Sequence, residues 1–547
     1  MSLSGVTQTI KDGGLGVSPQ GGGNIVAKLG ICASGTTNVV QGVGSIPAVR
    51  SLIGVGPLAE ACAAALAAGC KEVRVVRANP STYGTTGAVT KTGPGTGTVT
   101  PAPAPHAVVL AKITTGGVLG VSQVAFSVDG AAYGTPVPTA ATVIVPGAFV
   151  TLAMPAGTYV LNEVYTAAID NTLITQSGGG PLPTRTASPV DGYDVRAAMV
   201  LGGALGVATF KYSTDGGDNY SGETLVPGTG RFGIPGTGVM LTFAGTFTTG
   251  DTYQFATTAP SYSTVEAQAA LDALIADQSD WTHVHVVGAP ANAAGFASLA
   301  AAVDAKLMAA EPVFKYKAAI VECPSTEADA TIAAAMASLD LKRTMGVCGD
   351  GEIISQFTGK QDRRNLAISV SARASVVAPS RSLAAVRDGS LPFVFSIYRD
   401  EAATPGLDNA RLTVVRTHSG KAGFYCNIDR TLAAAGSDFG FWPRRRVMDE
   451  ACKSSYAALV ENVGADVLVD PATGRILEQE AQSIESAVKV IVESKLRGQV
   501  SAIKITVDRT ANILSTNNIP VEIGVQPKGL LYFISSTIRY IPTALAA

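Results

Sequence analysis

The stretch AQSIESAVKVIVESKLRGQVSAIKITVD, residues 481 to 508, changes from a helical to a strand-like apolar period at a single glycine. Apolar residues recur three or four positions apart up to Val492, which predicts the buried face of a helix. Gly498 is well placed to end that helix. From Ile503 to Val507 every second residue is apolar, as in a half-buried strand. This part of the chain is therefore predicted to be a helix packed on a sheet.

Two further segments are predicted to complete that sheet. PVEIGVQP, residues 520 to 527, alternates in the same way, with apolar residues from Val521 to Val525. LLYFISSTIRYI, residues 530 to 541, is rich in β-branched and aromatic residues. The chain is therefore predicted to end on a strand.

Upstream, strand-like and helix-like segments alternate. The strand-like segments are WTHVHVVG, KAAIVEC and TMGVCGD, and the helix-like segments between them are ANAAGFASLAAAVDAKLMAA and EADATIAAAMASLD. Ser263 and Glu266 form a capping-box pattern at the start of this region. Such alternation favours parallel strands joined by crossover helices, so an α/β middle domain is predicted over residues 261–420.

An internal duplication precedes the α/β region. GGVLGVSQVAFSVDGAAYGTPVP from Gly116 matches GGALGVATFKYSTDGGDNYSGETLVP from Gly202, and the agreement continues downstream. In each copy short alternating runs lead to an Asp-Gly dipeptide, at Asp129 and Asp215, which is a hairpin signal. Each copy is therefore predicted to be a small all-β sandwich.

The sequence predicts a mixed α/β and α+β protein with inserted β domains. Residues 81–115, rich in Thr, Gly and Pro, are interpreted as a linker. The predicted divisions are 1–80 for an N-terminal arm and the first part of a core domain, 81–115 for the linker, 116–175 and 176–260 for the two β repeats, 261–420 for the α/β domain, and 421–547 for a C-terminal core domain with a terminal strand arm.

Composition excludes several classes of function. Only 15% of the 547 residues are charged, against about 25% in an average soluble domain, and the net charge is −2 without a block of like charges. Nucleic-acid binding, which needs a basic surface, is therefore not expected. The most apolar helical stretch, residues 58–70, is too short to cross about 30 Å of hydrocarbon, so no membrane insertion is expected. MSLSGVTQTIKDGGLG has no signal-peptide pattern, which predicts assembly in the cytoplasm.

No convincing catalytic constellation is present. The chain has four histidines and no serine in a nucleophile-elbow setting. His283 and His285 share a strand face, where a metal site is weighed against ordinary strand residues near a sheet edge, and the second is favoured. No catalytic residue, cofactor or metal is predicted. Arg444 to Arg446 form the sharpest charge cluster, interpreted either as a solvated helix start or as a docking patch for an acidic partner.

Several stretches together resemble the contractile tail sheath family of bacteriophages and related injection systems. They are TIKDGGLGVSPQGGGNIVAKLGICASG and VRSLIGVGPLAEACAAALAAGCKEVRVVRA near the start, and FGFWPRRRVMDEAC through IVESKLRGQVSAIKITVDRTANILSTNNIPVEIGVQPKGLLYFISSTIRY near the end. They cover residues 1 to 80 and about 420 to 547. The resemblance implies that both ends of the chain form one inner domain, with the intervening domains inserted outward.

The resemblance also implies a function and partners. The chain is expected to polymerise around a tail tube in an extended state and to contract, driving the tube through a host envelope. Expected partners are further copies of the chain in a helical or stacked-ring array, the tail tube protein, and baseplate and tail terminator proteins, in a virion tail assembled in the host cytoplasm. No enzymatic activity is expected.

Two groups of residues are candidates for these contacts. Strands at the chain ends are predicted to add to the sheets of neighbouring subunits. These arm residues are Val6, Thr7, Thr9, Ile10, Phe533, Ile534, Ser536, Ile538 and Tyr540. Charged residues are candidates for the weak grip on the tube. They are Arg444, Arg445, Arg446, Lys489, Lys495 and Arg497.

Two other classes of protein stay open. Paired small β domains also suit another virion protein or an adhesin, although much of the chain is α/β. An α/β enzyme with glycan-binding β domains fits the alternating segment, although the sequence offers it no catalytic group. The sequence does not distinguish a phage from a bacteriocin-like particle or another injection device.

Overall fold

A computed structural model describes residues 25–146, 148–171 and 174–538 of the chain. Its N-terminal elements are β1 (Ile25–Gly30), β2 (Val40–Val43), α1 (Ile46–Ile53), α2 (Pro57–Ala67) and β3 (Glu72–Arg77). Helix α1 begins where the Ser45 hydroxyl accepts a hydrogen bond from the Ala48 amide, and Pro57 occupies the first turn of α2. Both helices therefore begin at residues that suit helix N-termini.

The segment predicted to be a linker instead forms strands. It contains β4 (Thr90–Thr92), β5 (Thr98–Pro103) and β6 (Val109–Thr115). The pairing partners of β4 and β5 lie more than 130 residues later in the chain, in the second β repeat. The linker prediction is wrong, because distant strands supply the hydrogen-bond partners that this Thr- and Pro-rich segment does not contain itself.

The first β domain is made of two main sheets and a small two-stranded sheet around one core. Its strands beyond β6 are β7 (Gly117–Val118), β8 (Gln123–Val128), β9 (Val137–Pro138), β10 (Thr142–Val145), β11 (Val150–Ala153), β12 (Thr158–Tyr159), β13 (Val164–Ala167), β14 (Thr175–Ser177) and β15 (Thr184–Ala187). The sheet orders are β14-β13-β6-β8-β9 and β10-β11-β15, with β12 paired to β7. This domain therefore extends to residue 187, beyond the predicted boundary at 175.

The second β domain repeats this topology. Its strands are β16 (Asp194–Leu201), β17 (Thr209–Ser213), β18 (Thr224–Leu225), β19 (Arg231–Ile234), β20 (Val239–Ala244) and β21 (Thr252–Ala256), completed by β4 and β5. The orders β4-β21-β16-β17-β18 and β19-β20-β5 match those of the first domain strand for strand. In the first domain, β14 and β15 complete the two main sheets and follow the repeated segment in the chain. In the second domain the equivalent strands are β4 and β5, which precede the first repeat.

The α/β region follows. Its elements are α3 (Thr264–Ala276), β22 (His283–Val286), α4 (Ala293–Ala309), β23 (Ala318–Cys323), α5 (Asp329–Met336), β24 (Thr344–Cys348), β25 (Asp350–Ile354), β26 (Gln361–Asn365), α6 (Ala367–Val376), β27 (Val394–Ile397), β28 (Val415–His418) and β29 (Lys421–Cys426), with 3₁₀ turns at Glu311–Val313 and Val386–Asp388. One six-stranded sheet has the order β2-β3-β1-β22-β23-β24, in which all pairs except β2 with β3 are parallel. The predicted parallel sheet with crossover helices is present, and it includes the N-terminal strands.

Helix α4 is the central helix on one face of this sheet. With the following turn it is long and apolar enough, by length and composition, to be a candidate membrane span. Its residues Phe296, Val303 and Leu307 are fully buried against the sheet, together with residues of α3 and α5. It therefore serves as a core helix of this α/β unit.

The C-terminal domain consists of two long helices and a hairpin. Its elements are α7 (Trp442–Val460), α8 (Glu478–Lys495), β30 (Val500–Val507), α9 (Ile513–Thr516) and β31 (Val521–Pro527). Val488 and Val492 of α8 are fully buried against Ile503, Ile505 and the facing strand. The predicted helix-on-sheet packing is present, but residues 528–538 form no strand within the subunit.

The two ends of the chain meet through a helix rather than through a shared sheet. Trp442 at the start of α7 is fully buried in the same core cluster as Val26 of β1. Arg343 Nη1, before β24, lies 3.0 Å from Asp449 Oδ1 on α7. The C-terminal domain is thereby fixed to the α/β unit, and the mixed fold class with inserted β domains is confirmed.

Candidate assembly interface

The C-terminal hairpin is a two-stranded sheet without a third strand among the described residues. Strands β30 and β31 pair antiparallel from Val507 with Val521 to Val500 with Pro527. One face packs on α7 and α8, and the outer edges face away from any other strand. Val507 N–H donates to Glu485 Oε1 at 2.7 Å, which occupies one outward-facing donor of β30. An open edge of this kind is a template for a strand from another chain.

An exposed apolar segment directly follows this hairpin. Leu531, Phe533 and Ile534 are each 78–79% exposed, and Ile538 is 94% exposed. Residues 528–538 form no strand, so this backbone has no sheet partner among the residues that the structure describes. Side chains of this size are normally covered in a soluble protein, which makes the segment a candidate contact with a partner.

Tyr532 anchors the root of this segment. Its hydroxyl donates a hydrogen bond of 2.6 Å to Asp429 Oδ1, and its ring stacks on Phe441 with 5.3 Å between centroids and 20° between planes. Burial and the nearby carboxylate raise the pKa of Tyr532, so the hydroxyl stays a donor. The segment therefore leaves the subunit from one fixed point.

Asp429 is a fully buried carboxylate with three different donors. Besides Tyr532, the Leu383 amide donates to Oδ2 and the Ser382 hydroxyl donates to Oδ1, both at 2.8 Å. Burial raises the pKa of Asp429, and these hydrogen bonds oppose that rise. Asp429 thus ties the C-terminal segment to the loop before β27.

The predicted arm residues fall on both sides of the described range. Phe533, Ile534, Ser536 and Ile538 lie in the exposed segment after Tyr532. Val6, Thr7, Thr9, Ile10 and Tyr540 lie outside the described residues. The role of both arms therefore stays a prediction.

Two of the four predicted tube-facing arginines are buried. Arg445 is 4% exposed and donates to Asp449 Oδ1 at 2.6 Å, and Arg446 is 8% exposed and donates to the Val377 carbonyl at 3.2 Å. Desolvation lowers the pKa of Arg446 to about 10. The prediction that these two side chains meet a partner is wrong, because α7 begins inside the protein, with Trp442 in the core. Arg444 is half-buried, with its guanidinium 5.0 Å from the Phe441 ring centroid.

The remaining charged candidates are exposed on the C-terminal domain. Lys489 and Lys495 lie on α8, and Arg497 lies just after it. Lys489 Nζ is 3.8 Å from Glu493 Oε1, a solvent-exposed pair that holds the lysine only weakly. These three side chains are free to meet a partner surface.

The histidine pair lies at the centre of the main sheet and not near an edge. His285 Nδ1 is 3.2 Å from Lys28 Nζ, and His285 Nε2 is 3.1 Å from Glu322 Oε1, with all three side chains buried. Burial lowers the pKa of Lys28 to about 8 and raises that of Glu322 to about 7. Groups sealed in the sheet cannot contact a substrate, and the described residues contain no cluster suited to a metal ion.

A buried ion pair helps to join the second β domain to the α/β unit. Arg364 on β26 binds both carboxylate oxygens of Asp191, at 2.6 and 2.7 Å. A cleft of about 890 Å³ beside this pair is lined by Asp194, Asp215 and Tyr398 among others. Asp215 already accepts hydrogen bonds from the Ser213 hydroxyl and the Asn219 side-chain amide. The Tyr398 hydroxyl likewise donates a hydrogen bond to Glu352. The cleft is thus a polar seam between domains.

Comparison with known proteins identifies a family and similar structures. The family model described as DUF2586, N-terminal domain, matches residues 3–430, and that described as DUF2586, C-terminal domain, matches residues 438–543. No curated protein matches the chain significantly.

Among 33 matching chains of solved structures are several sheath proteins. A sheath tail protein from Listeria innocua is 11% identical over 93% of both chains, with a TM-score of 0.46. One from Desulfitobacterium hafniense is 12% identical over 96% of this chain and 100% of its own, with a TM-score of 0.44. The sheath of an extracellular contractile injection system in its contracted state is 13% identical over 50% of this chain and 74% of its own, with a TM-score of 0.37. Sheath proteins are thus among the solved structures to which this chain is similar.

Proposed function

The chain belongs to the DUF2586 family, and from this premise we propose that it is the subunit of a contractile tail sheath. It polymerises around a tail tube in an extended state and contracts to drive the tube through an envelope. Its partners are further copies of itself, the tube protein, and the baseplate and terminator proteins of the particle. Its role is structural rather than enzymatic.

One observation carries the proposal: an open-edged hairpin and an unpaired apolar segment lie in the same domain. Within the described part of the chain, no strand pairs with the outer edges of β30 and β31, and the segment after Tyr532 exposes Phe533 and Ile534. Among the described residues the hairpin has no further strand partner and the segment has no apolar cover, and each can supply what the other lacks. Exchange of the segment between neighbouring subunits satisfies both by β-augmentation.

Such an exchange suits a contact that must survive large movements. Because Tyr532 fixes the segment at one point, subunits linked through it can rotate as near-rigid bodies while the strand contacts hold. A head-to-tail contact of this kind is heterologous, so it propagates as a helix or stacked rings. Contraction then proceeds by burying more intersubunit surface, without nucleotide hydrolysis.

The grip on the tube falls to exposed cations of α8 and its C-terminal end. Lys489, Lys495 and Arg497 lie on the exposed face of the domain that carries the open hairpin. Solvent-exposed charges give orientation and a fast, weak contact rather than a tight one. A tube that slides through the sheath requires a sheath–tube contact that is weak enough to break. Reversal of these three charges is expected to weaken assembly on tube without lowering the subunit's melting temperature.

Negative-stain electron microscopy of the purified protein at rising concentration tests the proposal. Hollow, regularly striated tubes are expected. Deleting residues 530–547 is expected to leave a folded subunit that forms no tubes, because the exchanged strand is lost; deleting residues 1–12 is expected to have the same effect. Compact particles at every concentration count against a sheath. Tubes from both truncated chains remove the arm mechanism but not the sheath.

The alternatives predict different results in the same preparations. A polymer-binding enzyme is a discrete oligomer with a pocket and a substrate, and an adhesin binds a cell surface without forming tubes. A phage, a bacteriocin-like particle and another injection device would all use the same kind of sheath subunit. Purification of the particle from the source organism distinguishes them.

A further inference from the structure

An exposed aromatic and aliphatic patch lies where the α/β unit meets the C-terminal domain. It consists of Val313, Phe314, Tyr456 and Val460, here called the Phe314 patch. These side chains are 61%, 50%, 39% and 42% exposed. The Phe314 and Tyr456 rings stack with 3.9 Å between centroids and 19° between planes. Val460 lies one turn after Tyr456 on α7, so the patch is continuous.

Phe314 is held in an unfavourable backbone conformation. Its φ is 60°, in the left-handed region, at the end of the 3₁₀ turn after α4. A bulky residue is rarely found there, because its Cβ crowds the following carbonyl. The amide hydrogen bonds of Phe314 to Glu311 and of Lys315 to Ala310 maintain the turn. A strained position that presents an aromatic ring to solvent is typical of a contact site.

The described chain begins close to this patch. The Ile25 carbonyl at the start of β1 accepts a hydrogen bond of 3.0 Å from the Thr282 amide. Two residues earlier, Asp280 Oδ1 lies 2.8 Å from Lys453 Nζ on α7. Lys453 is three residues before Tyr456 on the same helix. The point where residues 1–24 join the protein is therefore linked through Thr282 and Asp280 to Lys453, which lies about one helical turn from Tyr456 of the patch.

We propose that residues 6–10 of the same chain cover the Phe314 patch in the unassembled subunit. In an extended VTQTI segment Val6, Gln8 and Ile10 share a face, with about 13 Å between Val6 and Ile10. The connector, residues 11–24, contains six glycines, and 14 such residues span roughly 20 Å on average. Fully extended, the connector spans at most about 46 Å, which exceeds the short route of contacts from Ile25 through Asp280 and Lys453 to the patch.

This contact gives the N-terminal segment two alternative positions. In a free subunit the short tether gives an effective concentration on the order of millimolar, which favours the subunit's own patch. Once subunits gather, a strand edge of a neighbour competes for the same residues. The purpose of the contact depends on the proposed sheath function, but the docking itself is a property of the monomer.

Cys452 offers a native reporter for the test. It is the one cysteine of seven that is not buried, and it lies four residues before Tyr456 on α7. The labelling rate of Cys452 by a maleimide is measured in monomeric protein, for the full chain and for the Val6→Asp/Ile10→Asp variant. We expect severalfold faster labelling in the variant, since two charges on the apolar face prevent docking. The matched control, Thr7→Asp/Thr9→Asp, adds the same charges to the other face and should label like the full chain. Equal rates in all three proteins overturn the proposal.

A cross-linking experiment identifies the occupant. Tyr456→p-benzoylphenylalanine is irradiated in a mixture of ¹⁴N- and ¹⁵N-labelled monomers. Cross-links to residues 1–24 within one isotope are expected. Cross-links between isotopes make a second copy the occupant, and the absence of cross-links to residues 1–24 removes the segment altogether; either result overturns the proposal. Tube formation is not required, so this outcome is separate from that of the sheath proposal.

Discussion

The Tyr532 hydroxyl donates a 2.6 Å hydrogen bond to Oδ1 of the fully buried Asp429, 103 residues earlier in the chain. Through this bond and the stacking on Phe441, the last anchored side chain before the exposed C-terminal segment is fixed to the α/β unit. Beyond it Phe533, Ile534 and Ile538 are all more than three-quarters exposed. Tyr532 therefore separates the folded domain from the segment proposed to exchange.

Tyr532→Phe is expected to weaken both this anchor and assembly. The ring still stacks, but a buried carboxylate loses one of three donors, which costs about 2 kcal/mol of unfolding free energy. Without this hydrogen bond the segment after Tyr532 is less restrained, so its ordering on a neighbouring subunit costs more conformational entropy. Tubes should therefore form only at higher protein concentration. Urea unfolding and electron microscopy measure the two effects. Tyr425→Phe is the control, since it removes a hydroxyl bonded to the Ala422 carbonyl away from the segment. Equal assembly by the two variants contradicts the anchoring role.

Arg364→Met is expected to loosen the second β domain from the α/β unit. The guanidinium binds both oxygens of Asp191, which is 3% exposed, and removing it leaves a buried charge unpaired, at a cost of about 3 kcal/mol. Arg363→Met is the control, because Arg363 is exposed and pairs with Asp350 at the surface, where less than about 1 kcal/mol is expected. Thermal unfolding and limited proteolysis distinguish them. A melting temperature unchanged by Arg364→Met contradicts a stabilising role for the pair.

Local periodicity was sufficient to predict the elements that depend on neighbouring residues. Helix α8 and strand β30 follow directly from apolar spacing that changes at Gly498, and the parallel strands of the α/β unit follow from their alternation with helices. The matching β domains follow from the repeat. In the first two cases the deciding residues are neighbours in sequence, and in the third the two copies of the repeat indicate one shared topology.

Long-range partners explain what the sequence did not predict. Strands β4 and β5 lie in a Thr- and Pro-rich segment and become strands only through β20 and β21. Arg445 and Arg446 look like a solvated cluster, yet a helix that starts at a buried tryptophan carries them inside. The hydrogen-bond partners of Lys28, His285 and Ser371, are 257 and 343 residues away. No local pattern encodes such pairings; a lysine within the apolar strand IVAKLG was the available signal.

Glu60→Gln is expected to change how stability depends on pH. Burial raises the pKa of Glu60 from 4.5 to about 7, although Ser355 donates to it at 2.6 Å. The folded chain therefore binds a proton here more tightly than the unfolded chain, and this contribution to stability is lost as pH rises from 4.5 to 7. Relative to the glutamine variant, the wild type should lose up to about 3 kcal/mol across that window. Urea unfolding of both proteins from pH 4.5 to 8 measures the difference; a constant difference contradicts the prediction.

Deletion of both β domains is expected to leave a folded, assembling subunit. The insertion leaves and re-enters the α/β unit side by side, since Thr82 and Ser261 exchange backbone hydrogen bonds of 3.0 Å in both directions. Joining residues 82 and 261 through a short Gly-Ser linker therefore needs no movement of the core. The deletion uncovers Ile31 and Ala33, which pack on Phe149 and Val190, and it releases Arg364 to solvent, where its lost pairing costs little. We expect a cooperative melting transition and tubes thinner than those of the full chain.

The matched control deletes residues 106–187 alone, which removes the first β domain with all its strands. Loss of folding in the larger deletion but not in the smaller one assigns the second domain a structural role in the core and contradicts the prediction.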